Sequence, residues 1–273
     1  DLVFTFLWVR GKDQGLRYRF REARRGFTGQ LRFLSFAFLG LWLLTGAYVY
    51  YNTQVTNDYR SVKEEERRQA AYEKTYKATY QEMLLPRATD IKYTIDIYPQ
   101  ERDVVIKGDL RLVNKESASI DTLFVNTLPE LDLELEIERA TLVREDPELD
   151  VQFYHLSPAL QPGDSLRARY TAKYVSEGFE NQVRFTEVVQ NGTFFNNSHI
   201  TPAFGYQPDR ELGDKAERKK LGLPERVAMP PLERHCSDAC RNTYFTNNAD
   251  WVDVETVIST SADQIAVAPG SLL

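Results

Sequence analysis

The sequence predicts a mainly β protein: an antiparallel β-sandwich domain preceded by a transmembrane helix and a long amphipathic helix. Three patterns carry this expectation. An uncharged apolar stretch covers residues 33–51, a run without Gly or Pro covers 55–85, and from residue 91 apolar residues recur at every second position.

The uncharged stretch reads FLSFAFLGLWLLTGAYVYY, and no charge appears before residue 58. As a helix it crosses roughly 30 Å of hydrocarbon. Its small residues Ser35, Ala37, Gly40, Gly46 and Ala47 suit close helix packing, and Tyr48, Tyr50 and Tyr51 suit an interfacial aromatic belt. No A-x-A cleavage pattern follows, which argues against a signal peptide. Arg17, Arg19, Arg21, Arg24, Arg25 and Arg32 all lie on the N-terminal flank, so the positive-inside rule puts that side in the cytoplasm. We therefore assign 1–32 as a cytoplasmic basic segment and 33–52 as the span, with the lipid bilayer as partner. Leu2 to Val9 is read either as the cytoplasmic end of an earlier span or as an interfacial or disordered end.

Charge is distributed unevenly along the 273 residues. Arg10 to Arg32 carries eight Lys/Arg against two Asp/Glu, whereas the chain from Phe33 onward carries 26 against 37. An acidic body cannot neutralise phosphates in bulk, so no nucleic-acid partner is expected. With 42% hydrophobic and 27% charged residues the composition is that of a folded chain.

Residues 55–86 form a helical stalk in this reading, rich in Glu, Lys, Arg, Gln and Ala and closed by Pro86. Tyr72, Tyr76, Tyr80 and Leu84 fall four apart and share a face, which is expected to pack on the domain that follows. That domain is assigned to 90–273. Ile91, Tyr93, Ile95 and Ile97 alternate with polar residues, and a turn over 99–103 leads into Val104, Ile106, Leu110 and Leu112, a β-hairpin. Leu131, Leu133, Leu135 and Ile137 alternate with acids, predicting an edge or half-exposed strand with a solvated outer face that resists edge pairing. Leu166, Ala168, Tyr170, Ala172 and Tyr174 form another strand after the Pro162-Gly163-Asp164 turn. Residues 179–248 lose this regularity and are read as an irregular excursion, after which Val252, Val254, Thr256 and Ile258 resume it.

His235, Cys236 and Cys240 cluster as H-C-S-D-A-C, and these are the only two cysteines. A zinc site wants four ligands, or three and water, and no fourth candidate pairs with them. Outside the cytoplasm a Cys236–Cys240 disulfide is preferred, with two reduced thiols as the alternative.

The order of these pieces resembles the N-terminal domain of the gluzincin aminopeptidases, the aminopeptidase N and leukotriene hydrolase family. The resemblance rests on Tyr93-Thr94-Ile95-Asp96-Ile97-Tyr98-Pro99, on Lys107-Gly108-Asp109-Leu110, on Leu160 to Leu166 running into Tyr170, and on Trp251 to Gly270. It implies a saddle-like β domain. A bacterial subgroup, in which a polytopic segment like an ABC-type transporter permease is fused ahead of such a peptidase, resembles the chain further. Phe204-Gly205-Tyr206, Arg210-Glu211-Leu212, Glu217-Arg218-Lys219-Lys220, Leu221-Gly222-Leu223-Pro224 and Asn248 to Val252 look like that subgroup's linking region.

The family's catalytic machinery is an H-E-x-x-H helix with a downstream Glu on zinc, and a G-x-M-E-N strand. Neither motif occurs here; His155, His199 and His235 lie far apart. The resemblance thus implies a non-catalytic module, with zinc and peptide hydrolysis belonging to a catalytic domain elsewhere in the parent chain. Its expected location is a bacterial inner membrane with the β domain periplasmic or extracellular. In the family a polar residue from an irregular loop of this domain reaches the substrate pocket, and Asn191 and Asn196 occupy that general place; the simpler reading is that they cap turns. Two other classes compete with the peptidase module: a solute- or partner-binding domain of a transporter permease, and a β-sandwich adhesion domain on a stalk.

Overall fold

The computed structural model describes residues 15–57, 59–179, 187–226 and 251–272. The chain divides into two units, one of residues 1–59 with 177–181, the other of 60–176 with 182–273.

The first unit is helical. Helix α1 spans Leu16–Gly26 and α2 spans Gly29–Tyr50, continuing as a π-helical segment over Tyr51–Thr56. From Gly29 to Thr56 this is one 28-residue run, long and apolar enough to cross a membrane. Its large apolar side chains are left uncovered, Phe33 at 73% exposure, Trp42 at 70% and Leu44 at 71%. Polar side chains at its end bond back to the helix: Asn52 Nδ2 donates to the Tyr48 carbonyl (2.9 Å) and Thr53 Oγ1 to that of Val49 (2.9 Å). Asn57 Nδ2 then donates to the carbonyls of Asn52 and Glu177, both at 2.9 Å. Gly178 passes so close, at φ +61°, that a Cβ there would lie 2.1 Å from Asn52 Oδ1.

The second unit opens with α3, Val62–Tyr80. It is shorter than the 55–86 expected, because Asn57 is extended and a new helix start is built at Ser61, whose Oγ accepts from Glu64 N (3.3 Å). Ser61 with Glu64 is the sequence pattern of a capping box, and the acids Glu64 and Glu65 oppose the positive end of the helix dipole.

Strands follow as β1 (Arg87–Tyr98), β2 (Asp103–Val113), β3 (Ile120–Asn126), β4 (Asp132–Ile137), β5 (Ala140–Asp146), β6 (Val151–Leu160) and β7 (Ser165–Tyr174). Short pieces come next: β8 (Val188–Val189), β9 (Gly192–Thr193), α4 (Asn197–Ile200), β10 (Ala203–Phe204) and α5 (Lys215–Lys220), before β11 (Asp253–Ser259). One sheet has the order β11-β1-β2-β7-β4, a second β10-β3-β6-β5, and β8 pairs with β9. The protein is thus mainly β with antiparallel sheets behind an apolar helix, as the sequence predicts. One pair departs from antiparallel order: β11 runs parallel to β1, Tyr93 opposite Thr256 and Ile95 opposite Ile258. Parallel neighbours require a long connection, which here runs through the rest of the domain.

One hydrophobic cluster draws on both larger sheets, with Ile95, Val104, Ile106, Leu112, Leu166 and Ala168 from one and Leu123, Val125, Leu156 and Leu160 from the other. A second cluster holds the helix. Tyr72 and Tyr76 of α3 pack with Phe124, Val151 and Phe153, and Tyr80 lies against it. Ring centroids stand 5.3 Å apart for Tyr76 and Phe124 and 5.1 Å for Tyr80 and Phe153, within the range of favourable aromatic pairs. Leu84 stays exposed. The acidic strand β4 lies at a sheet edge, with Asp132, Glu134 and Glu136 exposed.

Candidate functional site

The described part of the irregular excursion, 187–226, is fastened to α3 by charge and by the buried ring of Tyr206, which packs with Tyr72 and Tyr76. Helix α5 is only six residues long, so its ends are closed by side chain and turn. Asp214 Oδ1 accepts from the Ala216 and Glu217 amides, both at 2.8 Å. Gly222 adopts φ +71° and the Leu223 amide donates to the Arg218 carbonyl (2.8 Å), a left-handed helix stop of the kind glycine supplies. This aims Arg218 at α3. Its guanidinium meets the Glu73 carboxylate in two parallel bonds, 2.7 and 2.8 Å, and also donates to the carbonyls of Leu212 (2.6 Å) and Pro224 (2.8 Å).

Both side chains of this pair are 3% exposed. Burial pushes the Glu73 carboxyl upward, but bonding to Arg218, that residue's charge and Lys77 outweigh it and hold the group below the usual carboxylate range. Bonding to Glu73 raises Arg218 against the opposing effect of burial. A second carboxylate extends the network: Glu211 lies 2.8 Å from Lys77 Nζ and accepts from Tyr206 OH (3.0 Å).

Arg210 makes the other attachment. Its Cζ lies 4.4 Å from the centroid of the Tyr72 ring, and its Nη atoms donate to Asn126 Oδ1 (2.9 Å) and the Leu149 carbonyl (2.8 Å). Tyr72 OH donates to the same Asn126 oxygen (2.8 Å) and accepts from the Gln207 amide (3.0 Å). Burial pushes the Tyr72 phenol up to about 12. Three residues of the linking motif, Arg210, Glu211 and Arg218, are therefore among those that tie the excursion to α3. Their bond partners Glu73, Lys77 and Asn126 carry no spacing signal that singles them out in the sequence.

The loop expected to approach a substrate lies at the other end of the excursion. Asn191 is exposed in the turn between β8 and β9, and Asn196 caps α4, its Oδ1 accepting from Ser198 N (3.4 Å). Between them runs an open cleft of about 530 Å³ lined by Glu187, Val189, Gly192, Thr193, Phe194 and His199. His199 Nδ1 is 3.2 Å from Glu187. Neither asparagine is among the lining residues. His235, Cys236 and Cys240 lie outside the described residues. Among the described residues no group of three or more His, Cys, Asp or Glu side chains is placed to hold a metal ion.

No protein-family model and no curated protein matches the chain. Solved structures similar to part of it include an M1 zinc metallopeptidase from Deinococcus radiodurans, at 13% identity and a TM-score of 0.27 over 34% of this chain and 21% of that one. A two-domain M1 zinc metallopeptidase mutant bound to L-arginine gives the same figures, and one bound to L-tryptophan covers 35% and 22%. The aligned part spans about a fifth of the length of these proteins.

Proposed function

We propose that this chain is a membrane-anchored, non-catalytic module of a zinc aminopeptidase, which holds a catalytic domain of the same parent chain at the membrane. One observation carries the reading. The four segments on which the family resemblance rests become neighbours in space: β11, β1, β2 and β7 are consecutive strands of one sheet, in the order β11-β1-β2-β7. Residues 163 apart in sequence, such as Lys92 and Glu255, are thus neighbours in one sheet. The linking motif adds support, since Arg210, Glu211 and Arg218 have one task in common, fixing the excursion to α3.

The zinc-binding H-E-x-x-H of such a peptidase does not occur in this sequence. The parent's peptide substrates, its bacterial inner-membrane location with the β domain outside, and the permease-like fusion all belong to this proposal. Asn191 and Asn196 stay in it as candidate substrate-pocket positions in the general place of the family's loop, although neither lines the Glu187 and His199 cleft.

The test uses the chain itself, expressed in a bacterial host. It should stay with the membrane pellet through alkaline carbonate extraction and should release no product from aminoacyl reporter substrates. Release into the carbonate supernatant removes the anchor from the account, and metal-dependent hydrolysis by the chain alone removes the non-catalytic role.

A further inference from the structure

We propose that α1 is an interfacial helix whose arginine face binds anionic phospholipid headgroups. The inference rests on the reading of α2 as a membrane span.

Eleven residues make a marginal helix in water. The start of α1 is weakly held: Gly15 offers no side-chain cap, and no acid stands in the first turn. The sequence LRYRFREARRG holds five arginines and one acid, Glu22. At about 100° per residue, Arg17, Arg21, Arg24 and Arg25 share one side of the helix, and all four are exposed. Phe20, on the flank of that side, is 63% exposed. An arginine face bordered by an uncovered aromatic is the pattern of a helix lying in the plane of a membrane interface, ring toward the acyl chains and guanidinium groups toward phosphate.

Position supplies the second argument. Only Phe27 and Thr28 separate α1 from α2. That short connection is pinned: Arg32 Nε donates to the Phe27 carbonyl (2.8 Å), and the Arg32 guanidinium lies 5.6 Å from the Phe27 ring centroid. Two residues reach only about 7 Å, so α1 begins where the apolar helix leaves the hydrocarbon. The partner at that depth is the headgroup layer, and the opposite of five arginines is an anionic one.

Nitroxide labels test this in the whole chain with Cys236→Ser and Cys240→Ser, one label at Phe20→Cys and a second at Leu44→Cys. The protein is reconstituted in phosphatidylcholine vesicles with and without phosphatidylglycerol. The expected result is a several-fold rise in oxygen over aqueous-reagent accessibility at position 20 only when phosphatidylglycerol is present. High salt, or Arg17→Gln with Arg21→Gln and Arg24→Gln, should abolish it. Position 44 should read as lipid in both vesicles. A position-20 label that stays aqueous in both vesicles, with position 44 in lipid, overturns the headgroup site and leaves the anchor intact. An aqueous reading at position 44 overturns the anchor itself. Persistence of the rise in the triple arginine variant overturns the assignment to these residues.

Discussion

Gly108 of β2 lies directly beneath the ring of Tyr170 on β7: a Cβ at position 108 would fall 2.1 Å from Tyr170 Cε1. The ring is held there, because Tyr170 OH donates to the Ile200 carbonyl (2.5 Å) and the side chain is 3% exposed. A glycine in a strand interior costs conformational entropy, and here it makes room for an aromatic that ties the sheet to α4. Gly108→Ala should therefore destabilise the protein by about 1–3 kcal/mol through overpacking. Urea unfolding in detergent micelles measures this; a variant as stable as the parent would show that the ring can shift freely.

The Glu73–Arg218 pair should behave as a buried ion pair does. Removing one partner, as in Glu73→Leu or Arg218→Met, strands the other's buried charge and should cost about 3–5 kcal/mol. Replacing both, Glu73→Leu with Arg218→Met, should recover most of that loss. The same unfolding measurement on the double-mutant cycle reads the coupling, and a coupling near zero contradicts the clamp.

Tyr72→Phe keeps the ring and its stack on Tyr206, whose centroids stand 5.1 Å apart. It deletes the acceptor of the Gln207 amide and one of the two donors to Asn126. A buried donor left unpaired costs about 1–3 kcal/mol. Amide exchange at Gln207 should rise along with that loss; an unchanged rate places another acceptor there.

Stability should fall at both ends of the pH scale, for different groups. Glu73 is depressed in the folded state, so its contribution is complete above the ordinary carboxyl value of 4.5 and disappears as pH drops through and below it. Burial raises the phenols of Tyr72, Tyr76, Tyr170 and Tyr206 above 10, so the unfolded chain loses these protons first, and stability declines as pH rises past 10. Melting temperature measured across pH checks both, and Glu73→Gln should flatten the acid limb alone. An acid limb unchanged in that variant assigns the loss to other carboxylates.

How much of this was legible in the sequence depends on which faces are covered. Strand β4 alternates acid and leucine because one side meets solvent, and β2 alternates because its outer side does. Strand β3 gives no period, since Leu123 and Val125 join the larger core cluster while Phe124 and Asn126 meet the cluster around α3, so both sides are buried. Strand β6 is masked likewise, with Phe153 under the helix and Tyr154 and Leu156 in the core. A strand covered on both sides loses the period-two pattern. The tyrosine stripe of α3 was readable because its covered side is narrow. Glu73, on the same helix, reads as one more solvated acid until Arg218, 145 residues away, arrives beside it.

The central claim, a membrane module serving a zinc aminopeptidase, is tested most directly on the full-length parent protein in its native membrane. Hydrolysis of aminoacyl reporter substrates is measured with and without a chelator, and after zinc is restored. The account predicts membrane-associated hydrolysis that the chelator abolishes and zinc recovers, with an H-E-x-x-H in the parent sequence outside this chain. A parent with neither hydrolysis nor that motif contradicts it.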